Sequence, residues 1–528
     1  MTWNSFSRKR RALASSFLLA CVALFSGKKI SDYSSPPERE KTCDFVFPSD
    51  SGADKSTTFI AESIPISLEQ QNGFINDASC LNKTPIRGIV QIHSVDDIRK
   101  ALEFARANHL KISIAGQRHS MGGQTFSADG VILDMRGFRQ ITLDSARRVV
   151  HAQAGATWAQ IQELIDKEGL AVQAMQSINV FTIGGALSVN AHGIAHRPGI
   201  VAPTVLSFRI MRANGQIETA TPTQNSELFK LALGGYGLFG VILDAQIQLV
   251  ENEVYSLETK ELDYRDFLKY YQTHVEKDER VGLVYGRLSI SPTSYLRDAA
   301  IHVYRKADFA GQIPPLQPTT HDRLERFVIN FSKTGGFGRW LRWTLERNFG
   351  PHMHNCMSRN QAAVQKEACL ISRNEEMYDS MAYLRNRLND IDILQEYFIP
   401  RERMPEFVDG LRSVVRKDGA NLLNVTIRSV QKDTVTALPY ARQDMFAFVL
   451  YFNQKLNVEQ SRSLQKTTVD LVDLAISLNG TFYLPYQLYY SSEQLRRAYP
   501  EVDRFFAAKK QYDPEILFSS KFYEKYAQ

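Results

Sequence analysis

The feature that most constrains this chain is a glycine-bearing loop directly after a strand pattern: Ile114-Ala115-Gly116-Gln117-Arg118-His119-Ser120-Met121-Gly122-Gly123-Gln124. Such a loop leaves backbone N–H groups free to point at a pyrophosphate. Gly116 removes the side chain that would block close approach, and Ser120 and Gln124 add polar arms. One loop of this kind says little, because glycines also serve ordinary turns. Two more segments follow it, Phe181-Thr182-Ile183-Gly184-Gly185-Ala186-Leu187-Ser188-Val189-Asn190-Ala191-His192-Gly193 and Leu233-Gly234-Gly235-Tyr236-Gly237-Leu238-Phe239-Gly240-Val241-Ile242. Three such segments, roughly 65 and 50 residues apart, point to one extended ligand touched in several places. No G-x-G-x-x-G opens a helix after a strand, so a nicotinamide site of the Rossmann type is not supported.

Around these segments the pattern alternates between strand and helix. Ile89 to His93, Lys111 to Ala115, Val131 to Met135 and Val149 to Gln153 read as strands. Ser94 with Asp97 caps a helix through Ile98, Leu102, Phe104 and Ala105. Thr157 to Lys167 reads as an amphipathic helix closed by Gly169. Asn214-Gly215 marks a hairpin between Leu206–Met211 and Gln216–Thr219. After Glu251 the strands lengthen, as in Ala300 to Tyr304 and Met445 to Phe452, and a basic, aromatic stretch runs from Phe337 to Phe349. At 528 residues, with 44% hydrophobic and 23% charged side chains, the chain is long enough for two globular domains plus a leader.

The net charge of +6 is not a nucleic-acid signal. Arg8, Lys9, Arg10, Arg11, Lys28 and Lys29 precede the first acid, Asp32, and account for the whole excess. No basic stripe is left to bind a polyanion. The same cluster, with the apolar run from Ala12 to Phe25, reads as an export signal or a short membrane anchor. Arg10-Arg11-Ala12-Leu13 loosely resembles a twin-arginine signal. The expectation is an exported or membrane-anchored protein, with any membrane association made through residues 1–31. Cys43, Cys80, Cys356 and Cys369 lack metal-ligand spacing. An oxidising compartment would permit Cys43–Cys80 and Cys356–Cys369 bridges, and four separate buried thiols are the favoured reading.

In their order and spacing, the three glycine segments resemble the FAD-binding domain of the p-cresol methylhydroxylase (PCMH) and vanillyl-alcohol oxidase superfamily. Within it they are similar to aldonolactone and alditol oxidases, cytokinin dehydrogenases and decaprenylphosphoryl-ribose oxidase. The resemblance covers about Leu81 to Val250, and it implies a two-domain α+β fold with FAD as cofactor. The implied organisation is a leader at 1–31, a linker and N-terminal extension at 32–80, an FAD-binding domain at 81–251 and a substrate domain at 252–486. A C-terminal segment at 487–528 would return to the first domain, because Asp513-Pro514 and Phe518-Ser519-Ser520-Lys521-Phe522 resemble the family tail that covers the flavin. By residue-by-residue transfer, Ile114, Gly116, Gln117, Arg118, His119, Ser120, Gln124, Thr182, Gly185, Ser188, His192 and Ile242 are the expected cofactor residues. Gly116-Gln117-Arg118-His119-Ser120 fits the G-x-x-H-S motif whose histidine bonds to the flavin 8α-methyl group. A neutral imidazole is a competent nucleophile for that carbon. His192 also admits a simpler reading, as a packed, hydrogen-bonded histidine.

In the second domain Gln395-Glu396-Tyr397-Phe398-Ile399-Pro400 resembles the E-Y-x-x-P strand of aldonolactone and alditol oxidases. Thr426-Ile427-Arg428 stands where those enzymes carry E-x-R, with the arginine kept and the acid replaced. Ser177 stands where cytokinin dehydrogenases place a catalytic aspartate, and an amine substrate would then lack its base. Tyr486 occupies the place of a lysine in decaprenylphosphoryl-ribose oxidase. The resulting expectation is an FAD-dependent oxidoreductase acting on a CH–OH group of a small sugar, polyol or aldonolactone-like molecule. Arg428, Glu396 and Tyr486 are its catalytic candidates, and O2 or an electron carrier is its acceptor. The alternatives are oxidation of a C–N bond and a flavin-binding protein without catalysis.

Overall fold

The computed structural model describes residues 66–316, 322–353, 369–378 and 390–527. The leader, its arginines, Cys43 and Cys356 lie outside these residues. Among the described residues no helix is long and apolar enough to cross a membrane.

The first domain is built on two sheets. Strand β1 (Gly88–Gln91) leads into helix α1 (Val95–Ala107), then strand β2 (Ile112–Ala115) and strand β3 (Val131–Asp134). They pair in parallel in the order β1-β3-β2. Ser94 and Asp97 close a capping box on α1, which satisfies donors otherwise left unpaired and contributes ~1 kcal/mol. Ile98, Ala101, Leu102 and Ala105 are buried, with the i, i+3, i+4, i+7 spacing of one helix face.

The chain continues through β4 (Ile141–Asp144), β5 (Val149–Gln153), helix α2 (Trp158–Ile165), β6 (Leu170–Val172) and helix α3 (Ile183–Ser188). It then forms β7 (Val205–Met211), β8 (Ile217–Ala220), helix α4 (Ser226–Ala232) and the long β9 (Val241–Glu251). These strands form an antiparallel sheet, β8-β7-β9-β5-β4, with β6 added on β9. The hairpin at Asn214-Gly215 is present, with Gly215 at φ +82°. Gly169, at φ +66°, ends the turn after α2 as expected.

The second domain is one eight-stranded antiparallel sheet. Its strands are β10 (Val254–Asp263), β11 (Val281–Leu288), β12 (Asp298–Lys306), β13 (Leu370–Ser372), β14 (Asp390–Pro400), β15 (Asn421–Val430), β16 (Met445–Lys455) and β17 (Thr481–Phe482). They lie in the order β13-β10-β12-β11-β15-β16-β14-β17. Two helices, Met404–Asp418 and Val458–Ser477, pack against each other and against β14 and β16. The basic, aromatic stretch at Phe337 lies within a helix, Gly336–Met353.

Several sequence expectations change. Cys80 and Cys369 are both disulfide-bonded, which overturns the reading of four separate thiols; spacing alone reports neither proximity nor redox state. Part of the stretch expected as linker and extension, residues 66–80, is ordered: Asp77 accepts from the Gly123 N–H, and Arg118 O accepts from Ala78. The tail forms three helices, Ser492–Ala498, Val502–Tyr512 and Lys521–Tyr526. It braces the first sheet. Ile112 N–H donates to Leu517 O over 2.7 Å, and Ser519 N–H donates to Ile112 O over 2.9 Å. The buried Lys509–Asp513 pair fixes this turn, with Asp513 accepting from the Leu517 and Phe518 N–H groups.

Candidate active site and cofactor cavity

The loop after β2 turns sharply across the end of the parallel sheet, with Arg118 at φ +57°. A non-glycine residue there costs ~1–3 kcal/mol and persists where surrounding contacts enforce it. The contacts are identifiable. Met121 N–H donates to Pro485 O, Gln487 donates to Met121 O, and the Gln124 amide donates to the carbonyls of Leu484 and Tyr486. The loop of the first domain is thereby tied to the chain that follows β17 in the second.

The three glycine segments close on one cavity. A methyl group built on Gly116 would lie 2.1 Å from Thr182 Oγ1, so the first and second segments touch there and only glycine fits. Gly237 lies at φ +75°, and a Cβ there would meet Ile114 at 3.6 Å, an ordinary contact, so the backbone angle is what favours glycine. One lobe is walled by Ile114, Gly116, Ser120, Gln124, Thr182, Gly185, Ser188 and Ile242. The other lobe shares Gly116, Ser120, Thr182 and Gly185 and adds Gln117, Arg118, His119, His192, Glu396, Arg428 and Tyr486. Every residue singled out from the sequence is therefore on one of the two walls. Ser177, noted for the aspartate it replaces, lines the second lobe, and sequence reasoning did not assign Thr125, Phe181, Tyr236 and Tyr483, which also line the cavity. Thr125 and Tyr236 sit in or beside the glycine segments and were legible as neighbours. Tyr483 carries no local signal. Among the described residues none of the tail beyond Tyr486 lines the cavity; the tail pairs along the edge of β2, and Phe522 packs against Tyr236.

The walls suit a long polar ligand. Thr125 Oγ1 and Ser177 Oγ are buried there with no hydrogen-bond partner among the described residues. Each unpaired hydroxyl costs ~1–3 kcal/mol, a cost that a bound phosphate, ribityl or flavin edge removes. Arg118 offers a guanidinium whose pKa lies below the ordinary value, chiefly through burial and then through Arg136. A pyrophosphate beside it would reverse that penalty. The His119 ring packs edge-on to Phe181 with centroids 4.6 Å apart.

The second lobe is floored by the large sheet. Glu396 on β14 pairs with Val449 on β16, which pairs with Thr426 on β15; in the next row Phe398, Ala447 and Arg428 stand side by side. His192 drops onto this surface from the segment after α3, because Ala195 bridges Leu283 and His196 N–H donates to Gly282 O. Its Nε2 lies 2.7 Å from Glu396 Oε1, both side chains being at most 2% exposed. The ring is held among Phe398, Tyr440 and Tyr483. Arg428 is half-buried against the same loop and donates through Nη1 to His192 O at 3.4 Å. Tyr486 donates to Glu396 Oε2 at 3.4 Å.

The electrostatics follow from burial and neighbours. Burial would push the Glu396 carboxyl up, but His192 and then Arg428 and Tyr486 outweigh it and hold the group below its usual range. Tyr486 is driven well above the ordinary phenol value by burial and by Glu396, so it is a donor at any working pH. The acid missing at Thr426 has not left Arg428 without a carboxylate, since Glu396 stands diagonally across the sheet. Thr426 Oγ1 itself accepts from Asn424 over 3.0 Å.

Residues 86–221 match the family model described as FAD binding domain. Over 472 residues the chain is 24% identical to cytokinin dehydrogenase 9 of Oryza sativa subsp. japonica, covering 84% of this chain and 87% of that protein. It is 22% identical over 452 residues to L-gulonolactone oxidase of Bos taurus, covering 82% and 93%. It is 29% identical over 162 residues to a putative D-arabinono-1,4-lactone oxidase of Neurospora crassa, covering 30% and 29%. The cofactor is FAD, and the cavity described above is where the residues fit it.

Proposed function

We propose that this chain, an FAD-dependent oxidoreductase of the PCMH-type superfamily that includes aldonolactone oxidases and cytokinin dehydrogenases, oxidises a CH–OH group of a small sugar-like lactone or polyol. The observation that carries the reading is the second lobe itself. Arg428, Tyr486 and the Glu396–His192 pair converge on the flavin-loop side of the large sheet, within one cavity. Bound FAD supplies the two-electron acceptor for a hydride. Arg428 can polarise the substrate oxygen and stabilise the alkoxide developing as hydride leaves, and Tyr486 can donate to a second hydroxyl.

Oxidation of a C–N bond is favoured by the 472-residue match to a cytokinin dehydrogenase. Against it stands Ser177, a buried hydroxyl on the cavity wall with no carboxylate in its place. An anaerobic panel separates the readings. L-gulonolactone, D-arabinono-1,4-lactone or sorbitol should bleach the flavin, and a cytokinin should not. Bleaching by the cytokinin alone would replace this proposal with amine oxidation, and bleaching by nothing would favour a flavin-binding protein without catalysis.

Two further features belong to the proposal. His119 lines the cavity, which supports a covalent bond from the G-x-x-H-S motif to the flavin. The basic cluster and apolar run before Asp32, together with disulfides at Cys80 and Cys369, favour an oxidising compartment outside the cytoplasm. A reporter fused after Gln528 should be active outside the cytoplasm; a purely cytoplasmic pool would refute that placement.

A further inference from the structure

We propose that Glu396 is the proton acceptor of the reaction and that His192 is its positioning residue. This rests on the CH–OH reading above. In the step, the substrate O–H bond breaks and its proton goes to Glu396 Oε2. The C–H electron pair leaves as hydride to the bound flavin, and the former alcohol carbon gains its C=O bond.

The geometry supports this division of labour. Glu396 Oε1 faces His192 Nε2 at 2.7 Å, yet neither atom has an aligned hydrogen bond among the described residues. The contact fixes the carboxylate's place through Oε1 and leaves lone pairs on Oε2 for another partner. Oε2 has only the long Tyr486 contact of 3.4 Å, and it lies on the cavity wall shared with Arg428 and the flavin loop. Among the groups lining this lobe, Tyr486 and Tyr483 keep their protons, both being held well above the ordinary phenol value chiefly by burial. Arg118 and Arg428 can only donate. Glu396 is the carboxylate on the wall.

The charged and titratable groups facing Glu396 are His192 from the segment after α3, Arg428 from β15, Tyr440 from the loop between β15 and β16, Tyr483 and Tyr486 from the segment after β17, and Tyr499 from the tail. Arg118 and His119 face it across the cavity. With His192 removed, burial acts on the carboxylate against Arg428 and the long Tyr486 hydrogen bond alone, so its protonation should move to higher pH.

The test uses the flavin-loaded enzyme and its Glu396→Gln and His192→Gln variants, with whichever of L-gulonolactone, D-arabinono-1,4-lactone or sorbitol bleaches the unmutated flavin fastest. Glu396→Gln should slow flavin reduction by about a hundredfold or more. His192→Gln should keep most of its rate at high pH while its acid limb moves up by about one pH unit or more. Reduction of Glu396→Gln at the unmutated rate, or an acid limb unmoved in His192→Gln, overturns the proposal. A second measurement needs no substrate: the protonated-carboxyl infrared band absent from Glu396→Gln should appear at higher pH in His192→Gln than in the unmutated protein. Appearance at the same pH overturns the pairing. If no probe bleaches the flavin, the CH–OH reading fails by itself, and the infrared titration still decides the pair.

Discussion

The side-chain amide of Gln124 donates to the carbonyl of Tyr486 over 3.0 Å, and to the carbonyl of Leu484 beside it, while its own oxygen accepts from Gly122 N–H. Both ends of a residue expected to face the cofactor are thus engaged by protein. Gln124 sets the distance between the flavin loop and the segment carrying Tyr486. Gln124→Ala should leave two buried carbonyls and one N–H without this partner, a loss of ~1–3 kcal/mol. The expected outcome is a lower melting temperature together with reduced flavin content after purification. An unchanged flavin-to-protein ratio would show that the tie is dispensable for the cofactor.

Covalent attachment makes a prediction of its own. His119 lies on the cavity wall, between the turn at Arg118 and Ser120, with its ring against Phe181. Acid-precipitated protein should retain its yellow colour in the pellet, and His119→Ala should release the flavin into the supernatant. Free FAD in the supernatant of the unmutated protein would refute the linkage.

The glycine segments were legible because their signal is local: Gly116 and Gly237 are required by contacts and backbone angles within or between those segments. The capping box of α1 and the Asn214-Gly215 hairpin were legible for the same reason. The Glu396–His192 pair was not. It depends on docking the segment after α3 onto β11 and β14 of another domain, and no spacing in the sequence encodes that approach. The motif match pointed to Arg428, which lines the cavity. It did not show that the carboxylate beside this arginine comes from β14, after Thr426 replaced the neighbouring acid. The tail resembled a lid over the flavin; Leu517 to Ser519 pair along the edge of β2, with Ser113 donating to Ser519 O over 2.7 Å, an edge pairing that sequence similarity does not specify.

Arg428 offers a test of the transition-state role. Its Nε is buried without a partner among the described residues, and its only hydrogen bond there is the 3.4 Å contact to His192 O. A guanidinium so lightly engaged by protein is available to a substrate oxygen. Arg428→Ala should slow flavin reduction by ~3 kcal/mol of activation free energy, roughly a hundredfold or more. Stopped-flow reduction, with flavin content and melting temperature measured alongside, checks this. Reduction at the unmutated rate would make the arginine structural or idle.

The last prediction concerns pH and a histidine outside the chemistry. His196 is buried, 2% exposed, and its ring lies edge-on to Tyr271 with centroids 6.0 Å apart. Burial, and then the Arg197 and Arg401 charges, lower its pKa from 6.5 to about 4. The unfolded chain therefore binds a proton below about pH 6.5 that the folded chain refuses until about pH 4. Stability from this group is complete above the higher value and declines as pH falls between the two. A shift of this size corresponds to at most ~3 kcal/mol at the acid end of the window. Glu346 and Glu396, whose carboxyls are held below their usual range, add their own losses only at still lower pH. His196→Gln keeps a polar side chain and cannot take up the proton. Its urea midpoint should fall less steeply than that of the unmutated protein between about pH 6.5 and 4, with the two curves converging in shape above pH 7. Parallel curves across the whole window would mean that His196 is protonated in the folded protein and that its surroundings tolerate the charge.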